Sequence, residues 1–313
     1  MKFVTPKVYL VGFTEAYEPG IWQYLDETGQ ADFWDDYQAG RAAGLSSGEC
    51  LCSMYAKMCY KSLVVGPNRN ISQVRSVADN LAGTYAAGHG SVFEHLSINF
   101  VVHNCSRVWG NEQVRHRVGV AYSQTSGRYV ATDSLDVVLD PILDPIREEI
   151  EEVVEFLETR GKRCRALMGL DGMAALAAAR RTSAHRTPEN LFDPRYLGTD
   201  EWYAERYLGV TAGQLAKPDF DRKKKVTSAL RRVFAPSGIA NELGMTLNVR
   251  TVRHVVQLRT APSAEWEMRF VYAQVYEILK DKFPTLFADA KVDVVDGLPY
   301  VNGMTQQPYD TKE

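Results

Sequence analysis

The possible folds of this chain are limited first by a stretch in which every second residue is large and apolar. The apolar positions are Leu96, Ile98, Phe100 and Val102, and the residues between them are Ser, Asn, Val and His. A period of two residues is that of a β-strand, whose side chains point alternately to its two faces. The chain is therefore expected to contain a sheet, with one face of this strand strongly buried.

The rest of the chain mixes strand and helix signals. The segment from Val8 to Phe13 is typical of a second strand, and Gly48 to Ser62 of a short helix with small and apolar residues on one side. Ala264 to Phe283 has apolar residues at helical spacing, and Pro284 is expected to stop that helix. Both kinds of element therefore contribute to the fold.

The middle of the chain favours helices. From Asp144 to Arg181, Glu, Ala, Leu and Arg are frequent, and glycines near 161, 169 and 172 predict a division into two or three helices. Residues 183–222 are less regular, but aromatic side chains among the prolines indicate an ordered excursion packed on a body. A basic stretch from Arg222 to Arg232 leads to a predicted helix end before Pro236.

Length and charge limit the class of protein. The chain has 313 residues, 45% hydrophobic and 24% charged, enough for one large domain or two modest ones. A formal charge of -3 provides no broad positive field, so extended contact with a nucleic-acid backbone is not expected. Any phosphate must be bound by a local arginine cluster.

The sequence also gives expectations about location. The first residues match a signal peptide poorly, and no apolar run approaches the length of a membrane span. The cysteines are five, an odd number, and lack the paired spacing of metal ligands. Reduced thiols in a cytoplasmic protein, with no metal site, are therefore expected.

The densest polar cluster is Arg115-His116-Arg117. Two arginines two residues apart would point about 200° away from each other on a regular helix, so a site that uses both needs a helix end or a loop. A solvated basic turn is the simpler alternative. The residues that follow favour phosphate recognition, because hydroxyl, amide and guanidinium groups are spaced by small residues at Ser123, Gln124, Ser126 and Arg128.

A second cluster is HGSVFEH, from His89 to His95. The two histidines are six residues apart, about 240° around a helix, so this is not the arrangement that places two zinc ligands on one face. A hydrogen-bonding or stacking site is favoured over a metal site. Histidines with a purely structural role are the alternative.

A third cluster is rich in arginine and runs from Arg232 to Glu265. It includes Asn248, Arg250, Arg253, His254 and Arg259, among apolar residues. Arginines are costly to bury unless they meet anions. Those anions are either bound ligands or internal carboxylates such as Glu242, Glu265 and Glu267, and spacing alone leaves both alternatives open.

Together the three clusters resemble the flavin-dependent thymidylate synthase family, ThyX. The family signature is RHR, seven residues and Ser, followed by Arg and Tyr. The likeness extends from CYKS near Cys59 through HGSVFEH and CSRVWGNEQVRHRVGVAYSQTSGRY, and resumes at RRVFAPSGIANELGMTLNVRTVRHVVQLRTAPSAEWEMR. The resemblance implies one domain over residues 1–313 with a mixed α/β (α+β) fold, an antiparallel sheet flanked by helices, and an extra, mostly helical insertion at about 160–222.

The resemblance also implies the roles of individual residues. Those expected around the flavin and its diphosphate are His89, Ser91, Glu94, Arg115, His116, Arg117, Ser123, Asn248, Arg250 and His254. Those expected to hold the nucleotide are Glu112, Gln124, Ser126, Arg128, Arg232, Arg259 and Glu265. Catalytic roles are implied for Arg259, Ser126 and His116. By analogy four subunits assemble, and each active site borrows residues from its neighbours.

The implied chemistry is methylation of carbon 5 of a uridine monophosphate. Members of the family use FAD, NADPH and methylenetetrahydrofolate, and dispense with the cysteine nucleophile of the classical thymidylate synthases. Cys105, ten residues before Arg115, is accordingly expected to be a buried thiol. Arginines near the uracil carbonyl oxygens would stabilise negative charge that develops in the ring.

The chain departs from the family pattern where the nucleotide is expected. Eight residues rather than seven separate Arg117 from Ser126, so Thr125 takes the strict signature position. Glu112 and Glu265 stand where glutamine is usual, and an ionised carboxylate only accepts hydrogen bonds. These departures favour the branch that methylates UMP for nucleoside antibiotics such as polyoxin. Housekeeping conversion of dUMP to dTMP, an NADPH-oxidising flavoprotein and a non-enzymatic nucleotide-binding protein are the alternatives.

Overall fold

The computed structural model describes residues 2–127, 135–181, 198–217 and 220–304. The chain divides into two compact units. Unit 1 comprises Met1–Thr5 and Thr125–Asn241, and unit 2 comprises Pro6–Gln124 and Glu242–Glu313. Each unit is described by itself.

In these described ranges the strands are β1 (Phe3–Val4), β2 (Lys7–Phe13), β3 (Ser97–Ser106), β4 (Val120–Gln124), β5 (Val137–Val138), β6 (Ala240–Asn248), β7 (Lys291–Val295) and β8 (Leu298–Asn302). The α-helices there are α1 (Glu18–Glu27), α2 (Phe33–Ala42), α3 (Ser47–Cys59), α4 (Val77–Ala86), α5 (Arg107–Gln113), α6 (Arg147–Leu167), α7 (Met173–Arg181), α8 (Asp200–Tyr203), α9 (Ala212–Ala216), α10 (Phe220–Phe234), α11 (Val249–Arg259) and α12 (Trp266–Lys282). Shorter helical turns span Gly90–His95, Pro141–Ile146, Ala204–Leu208 and Pro284–Phe287.

A four-stranded sheet with the order β2-β3-β6-β4 organises unit 2. The β2 and β3 pair is antiparallel, with Val8 opposite Val102, and so is the β4 and β6 pair. The apolar residues of the alternating stretch, Leu96, Ile98, Phe100 and Val102, are each at most 1% exposed. The predicted strands, their buried face and the mixed α/β class with an antiparallel sheet are thus confirmed.

Helices α3, α11 and α12 supply much of the remaining core of unit 2. One face of α12 is buried through Val271, Val275 and Leu279, at the spacing expected of an amphipathic helix. A capping box in which Ser46 and Glu49 bond each other's backbone N–H groups starts α3. The predicted helices at 48–62 and 264–283 are therefore confirmed within a few residues, and Pro284 follows the second.

Unit 1 is mainly helical. β1 and β5 form a short parallel pair, and α6 packs against α7 and α10. The predicted interruption near Gly161 is wrong, because α6 continues through it. Gly161 faces Phe234 of α10, and an added Cβ would lie at an ordinary contact distance of 3.4 Å from it. A single glycine costs a helix about 1 kcal/mol, which the packing of α6 against α7 and α10 outweighs.

The helical run does end at Gly169 and Gly172, whose φ angles are 66° and 90°. Beyond α7, the described part of the excursion contains α8 and α9, which share a small apolar cluster with α7. Arg180 at the end of α7 is 2.7 Å from Asp200 at the start of α8. The insertion boundaries at about 160–222 and the single domain stay predictions.

Two further observations concern membranes and thiols. In the described ranges no helix is long and apolar enough to cross a membrane. All five cysteines are free thiols.

The turn between α5 and β4 is anchored on the first turn of α11. The hydroxyl of Thr251 donates to the carbonyl oxygen of Val118 at 2.8 Å, and the N–H of Asn248 donates to that of Gly119 at 3.0 Å. Gly119 has a φ of 66°, and a Cβ there would overlap the side chains of Asn248 and Thr251. The turn therefore needs glycine for its backbone conformation and for space.

We expect Gly119→Ala to lower the free energy of unfolding by more than about 2 kcal/mol. The left-handed conformation alone costs about 1–2 kcal/mol with a side chain, and the overlap adds to that cost. Gly29→Ala is a matched control, since Gly29 has a φ of 68° and nothing within 4 Å of the added carbon. Urea unfolding of both variants measures the difference. Equal losses would show that the contacts with α11 do not matter.

Candidate functional site

The Arg115-His116-Arg117 segment lies in the turn between α5 and β4, as its spacing predicts for a site that uses both arginines. Arg115 is 70% exposed and forms an ion pair with Glu112, with 2.6 Å between nitrogen and oxygen. Arg117 is also exposed, whereas the side chain of His116 is half-buried. The turn thus presents two cations outward and one imidazole inward.

His116 contacts Arg259, the last residue of α11. The Nε–H of Arg259 donates to Nε2 of His116 at 2.9 Å. Burial lowers the pKa of His116 to about 4, and the positive charges of Arg259 and His254 act in the same direction. The imidazole is therefore neutral near pH 7, with its proton on Nδ1, and can accept this hydrogen bond.

The HGSVFEH segment forms a short helical turn, Gly90–His95, beside α11. Glu94 forms an ion pair with Arg250 of α11 at 2.6 Å. His95 stacks on Tyr55 with 4.1 Å between ring centroids, and Nε2 of His89 is 3.3 Å from the hydroxyl of Tyr60. These contacts are within the chain, as the alternative of purely structural histidines also expects, so the hydrogen-bonding or stacking site stays a prediction. No group of three or more potential metal ligands occurs in the residues that the structure describes.

The carboxylates that meet the α11 arginines differ from those considered in the sequence. Arg253 is fully buried and pairs with Asp289 at 2.8 Å, and its guanidinium lies over the ring of Tyr85. Glu242 instead contacts His103 at 2.6 Å. The assignment of Glu242, Glu265 and Glu267 as internal partners is therefore wrong for Arg253, because folding brings a carboxylate from beyond α12 to it.

Glu267 contacts a backbone N–H and a hydroxyl rather than an arginine. Its two carboxylate oxygens accept hydrogen bonds from the backbone N–H and the hydroxyl of Ser106, which begins α5. Burial raises the pKa of Glu267. Glu265 is exposed and directly precedes α12.

Helix α11 is the element that brings the three clusters of the sequence together within unit 2. Asn248, which caps the start of α11, bonds the end of the turn that contains Arg115-His116-Arg117, here called the RHR turn. Arg250, the second residue of α11, pairs with Glu94, and Arg259, its last residue, donates to His116. His254 lies close enough to His116 to lower its pKa. Segments separated by more than 100 residues therefore converge on one helix.

The residues expected at the nucleotide fall into three groups. Glu112 and Gln124 belong to unit 2, and Glu112 is 4.0 Å from a terminal nitrogen of Arg259. The side-chain nitrogen of Gln124 is buried without a hydrogen-bond partner among the described residues. Ser126 and Arg232 belong to unit 1, and Arg128 lies outside the described residues.

The remaining flavin-site candidates, Ser91 and Ser123, are exposed. An open cavity of about 430 Å³ lies next to His89 in unit 2. Its lining includes Tyr60, Ser62, Arg75 and Thr84. Of the flavin-site candidates, only His89 lines this cavity, which has the size of a small-molecule site.

Sequence reasoning missed Gln113, Tyr122 and Tyr272 as neighbours of the RHR turn. Gln113 is fully buried, and the hydroxyl of Tyr122 is 2.9 Å from the carbonyl oxygen of His116. The sequence contained a weak indication for Gln113, because it directly follows Glu112, which stands where glutamine is usual in the family. Tyr272 carried none, because its spacing on α12 is that of any core residue.

The geometry defines a compact polar site on an antiparallel α/β scaffold, and comparison with known proteins identifies the family. The family model described as thymidylate synthase complementing protein (Thy1) matches residues 45–285. This chain therefore belongs to the Thy1 family, and the predicted ThyX membership is confirmed.

Similar curated proteins agree with this assignment. A protein of Geobacter sulfurreducens named flavin-dependent thymidylate synthase is 24% identical over 82% of this chain and 88% of its own length. Proteins of the same name from Clostridium tetani and Mycolicibacterium vanbaalenii are 24% and 26% identical, over 77% and 79% of this chain and 82% of their own lengths. The similarity thus covers most of each protein.

We expect the His116 imidazole to make stability depend on pH. Its pKa is about 4 in the folded chain and 6.5 for an unperturbed histidine, so between these values the unfolded chain binds a proton that the folded chain does not. The free energy of unfolding should therefore fall as the pH decreases from about 6.5 to 4. Urea unfolding across this range should show a smaller fall in His116→Gln, which keeps an acceptor for Arg259. Parallel curves would contradict the assignment.

Proposed function

We propose that this chain is a flavin-dependent methylase that acts on carbon 5 of a uridine monophosphate and prefers UMP. Membership of the Thy1 family and the names of the relatives support the enzyme class and the use of FAD, NADPH and methylenetetrahydrofolate. The observation that carries the proposal is the convergence on α11, where Arg259 bonds His116 and Arg250 pairs with Glu94. A single rigid helix thus orders the polar groups of all three motifs.

The residues present suit a flavin dinucleotide. The exposed guanidinium groups of Arg115 and Arg117 offer cations for a diphosphate, which planar guanidinium groups bind well. His89 adds a hydrogen-bonding group at the 430 Å³ cavity, and Ser91 offers an exposed hydroxyl. Asn248, Arg250 and His254 present the α11 side of the site, and Ser123 and Glu94 complete the set. When bound, reduced FAD supplies the hydride that the methylation requires.

Arg259 is proposed to face the pyrimidine. Its Nε–H is used by His116, so its terminal nitrogens remain directed elsewhere, one of them 4.0 Å from Glu112. A guanidinium held in this way can stabilise negative charge on a uracil carbonyl oxygen without reorganising during the reaction. Gln124 offers a buried amide N–H, and Ser126, Arg128, Arg232 and Glu265 are proposed as further nucleotide contacts.

Cys105, the cysteine nearest in sequence to the RHR turn, is not suited to nucleophilic catalysis. Cys105 is fully buried, and burial raises the pKa of its thiol to about 12. A thiolate, which is the reactive form, is therefore scarce near pH 7. This supports methylation by orientation and electrostatics rather than by covalent addition of a cysteine.

The preference for UMP rests on Glu112 and on the additional residue before Ser126. The carboxylate of Glu112 beside Arg259 can accept a hydrogen bond from a ribose 2′-hydroxyl with either oxygen, whereas a glutamine side chain offers one accepting oxygen. A site that bonds this hydroxyl discriminates against the sugar that lacks it, because that sugar cannot form the hydrogen bond. The homotetramer with shared active sites and the cytoplasmic location are proposed by analogy with the family.

Three alternatives make different predictions. Housekeeping synthesis of dTMP would show preference for dUMP, and an oxidase would consume NADPH without methylating either nucleotide. A protein that only binds nucleotides would be colourless and would not take up FAD.

We expect the purified protein, reconstituted with FAD, to methylate UMP with a higher kcat/KM than dUMP. Glu112→Ala should lower the UMP to dUMP ratio, since it removes the proposed acceptor, and a single lost hydrogen bond corresponds to roughly fivefold or more. Product formation from each nucleotide, measured under identical conditions, provides the ratio. Methylation of dUMP without any methylation of UMP would refute the UMP proposal but leave the enzyme class intact.

We also expect Arg259→Ala and Arg232→Ala to weaken nucleotide binding by about 1.5–3 kcal/mol, the usual cost of losing a hydrogen bond to a charged group. Arg115→Ala should lower the amount of FAD that the protein retains more than Arg259→Ala or Arg232→Ala does. Titration of the flavin absorption spectrum with nucleotide measures both effects. Arg147→Ala, which breaks a surface ion pair to Asp144 in unit 1, is the control. Equal loss of both ligands in all three variants would indicate a folding defect instead.

A further inference from the structure

The RHR turn is supported from inside unit 2 by a chain of three side chains, to none of which the sequence patterns assign a role. The hydroxyl of Tyr272 on α12 donates to Oε1 of Gln113 at 2.7 Å. Nε2 of Gln113 donates to the hydroxyl of Tyr122 at 3.0 Å. The Tyr122 hydroxyl in turn lies 2.9 Å from the carbonyl oxygens of both Gln113 and His116.

The direction of this hydrogen-bond chain is fixed at one end. Carbonyl oxygens only accept, so the single proton of the Tyr122 hydroxyl must be shared between Gln113 and His116. The Tyr122 oxygen can then only accept from Gln113, which places the amide NH₂ toward it. The amide oxygen therefore faces Tyr272, whose hydroxyl must donate. Each hydrogen bond between these side chains therefore has only one possible direction.

The inner end of this series of hydrogen bonds is fully buried. Gln113 and Tyr272 are both 0% exposed. A buried amide whose oxygen and nitrogen each have one partner is costly to misalign, because an unpaired polar group in that environment loses its hydrogen bond without regaining water. The position of the His116 backbone is thus tied to the core of α12.

His116 transmits this constraint to Arg259. Its carbonyl oxygen is held by Tyr122, its N–H donates to the carbonyl oxygen of Gln113 at 3.1 Å, and its imidazole accepts from Arg259 at 2.9 Å. We infer that Gln113, Tyr122 and Tyr272 are positioning residues that fix the guanidinium of Arg259 for uridylate binding. The inference rests on the function proposed for Arg259.

The test is a double-mutant cycle on the full-length protein loaded with FAD. Tyr272→Phe removes one hydroxyl and should raise the Kd for UMP about five- to tenfold, while the FAD content per subunit stays the same. In an Arg259→Ala background the same change should have no further effect on the Kd, since the residue acts through Arg259. Tyr276→Phe is the matched control, because Tyr276 lies one turn further along α12 and packs edge-on against Phe287.

Two results would overturn the inference. A lower unfolding temperature for Tyr272→Phe with an unchanged Kd for UMP would show a purely structural role. An equal rise in Kd in both backgrounds would show that Tyr272 does not act through Arg259. If Tyr272→Phe does not fold, Tyr122→Phe replaces it, since it removes the hydroxyl that reaches His116 directly. A wild-type protein that binds FAD but no uridylate would refute the proposed function itself.

Discussion

The hydrogen bond from Arg259 to a neutral His116 is the interaction on which the arrangement of the site depends. It joins the end of α11 to the RHR turn, across 143 positions of sequence. It needs an unprotonated Nε2, because a protonated ring would place two cations in contact. Burial is the main cause that lowers the pKa of this imidazole to about 4, and the positive charge of Arg259 acts in the same direction. The environment of the turn therefore keeps the ring in the neutral form that the hydrogen bond needs.

Helix α11 carries both a fully buried arginine and two partly accessible arginines. Arg253 is fully buried between Tyr85 and Phe287 and pairs with Asp289, so it contributes to the packing of unit 2. Arg250 and Arg259 lie toward the other motifs and keep part of their surfaces accessible. Because a buried unpaired charge is far more costly than a paired one, the Asp289 carboxylate fixes how α11 lies on the core. The exposed arginines are then presented in a fixed direction.

The described part of unit 1 packs around apolar clusters of its own. Unit 1 has its own apolar clusters, around Val154 and Ile239 and around Leu176 and Leu215, which are separate from the large core of unit 2. Within the second of these clusters, α7, α8 and α9 bury apolar side chains against one another. The sheet and α11 of unit 2 pack in a different apolar cluster, which contains none of these residues.

The sequence by itself determined the strand at 96–103, the helices that become α3, α10 and α12, and the family, because these depend on local periodicity and on ordered motifs. It also determined that the RHR arginines need a turn. Only the tertiary structure decided which carboxylate meets Arg253, that α6 continues through Gly161, and that Gln113 and Tyr272 support His116. Such pairings join residues far apart in the chain, and a local pattern contains no information about a partner that folding alone brings near.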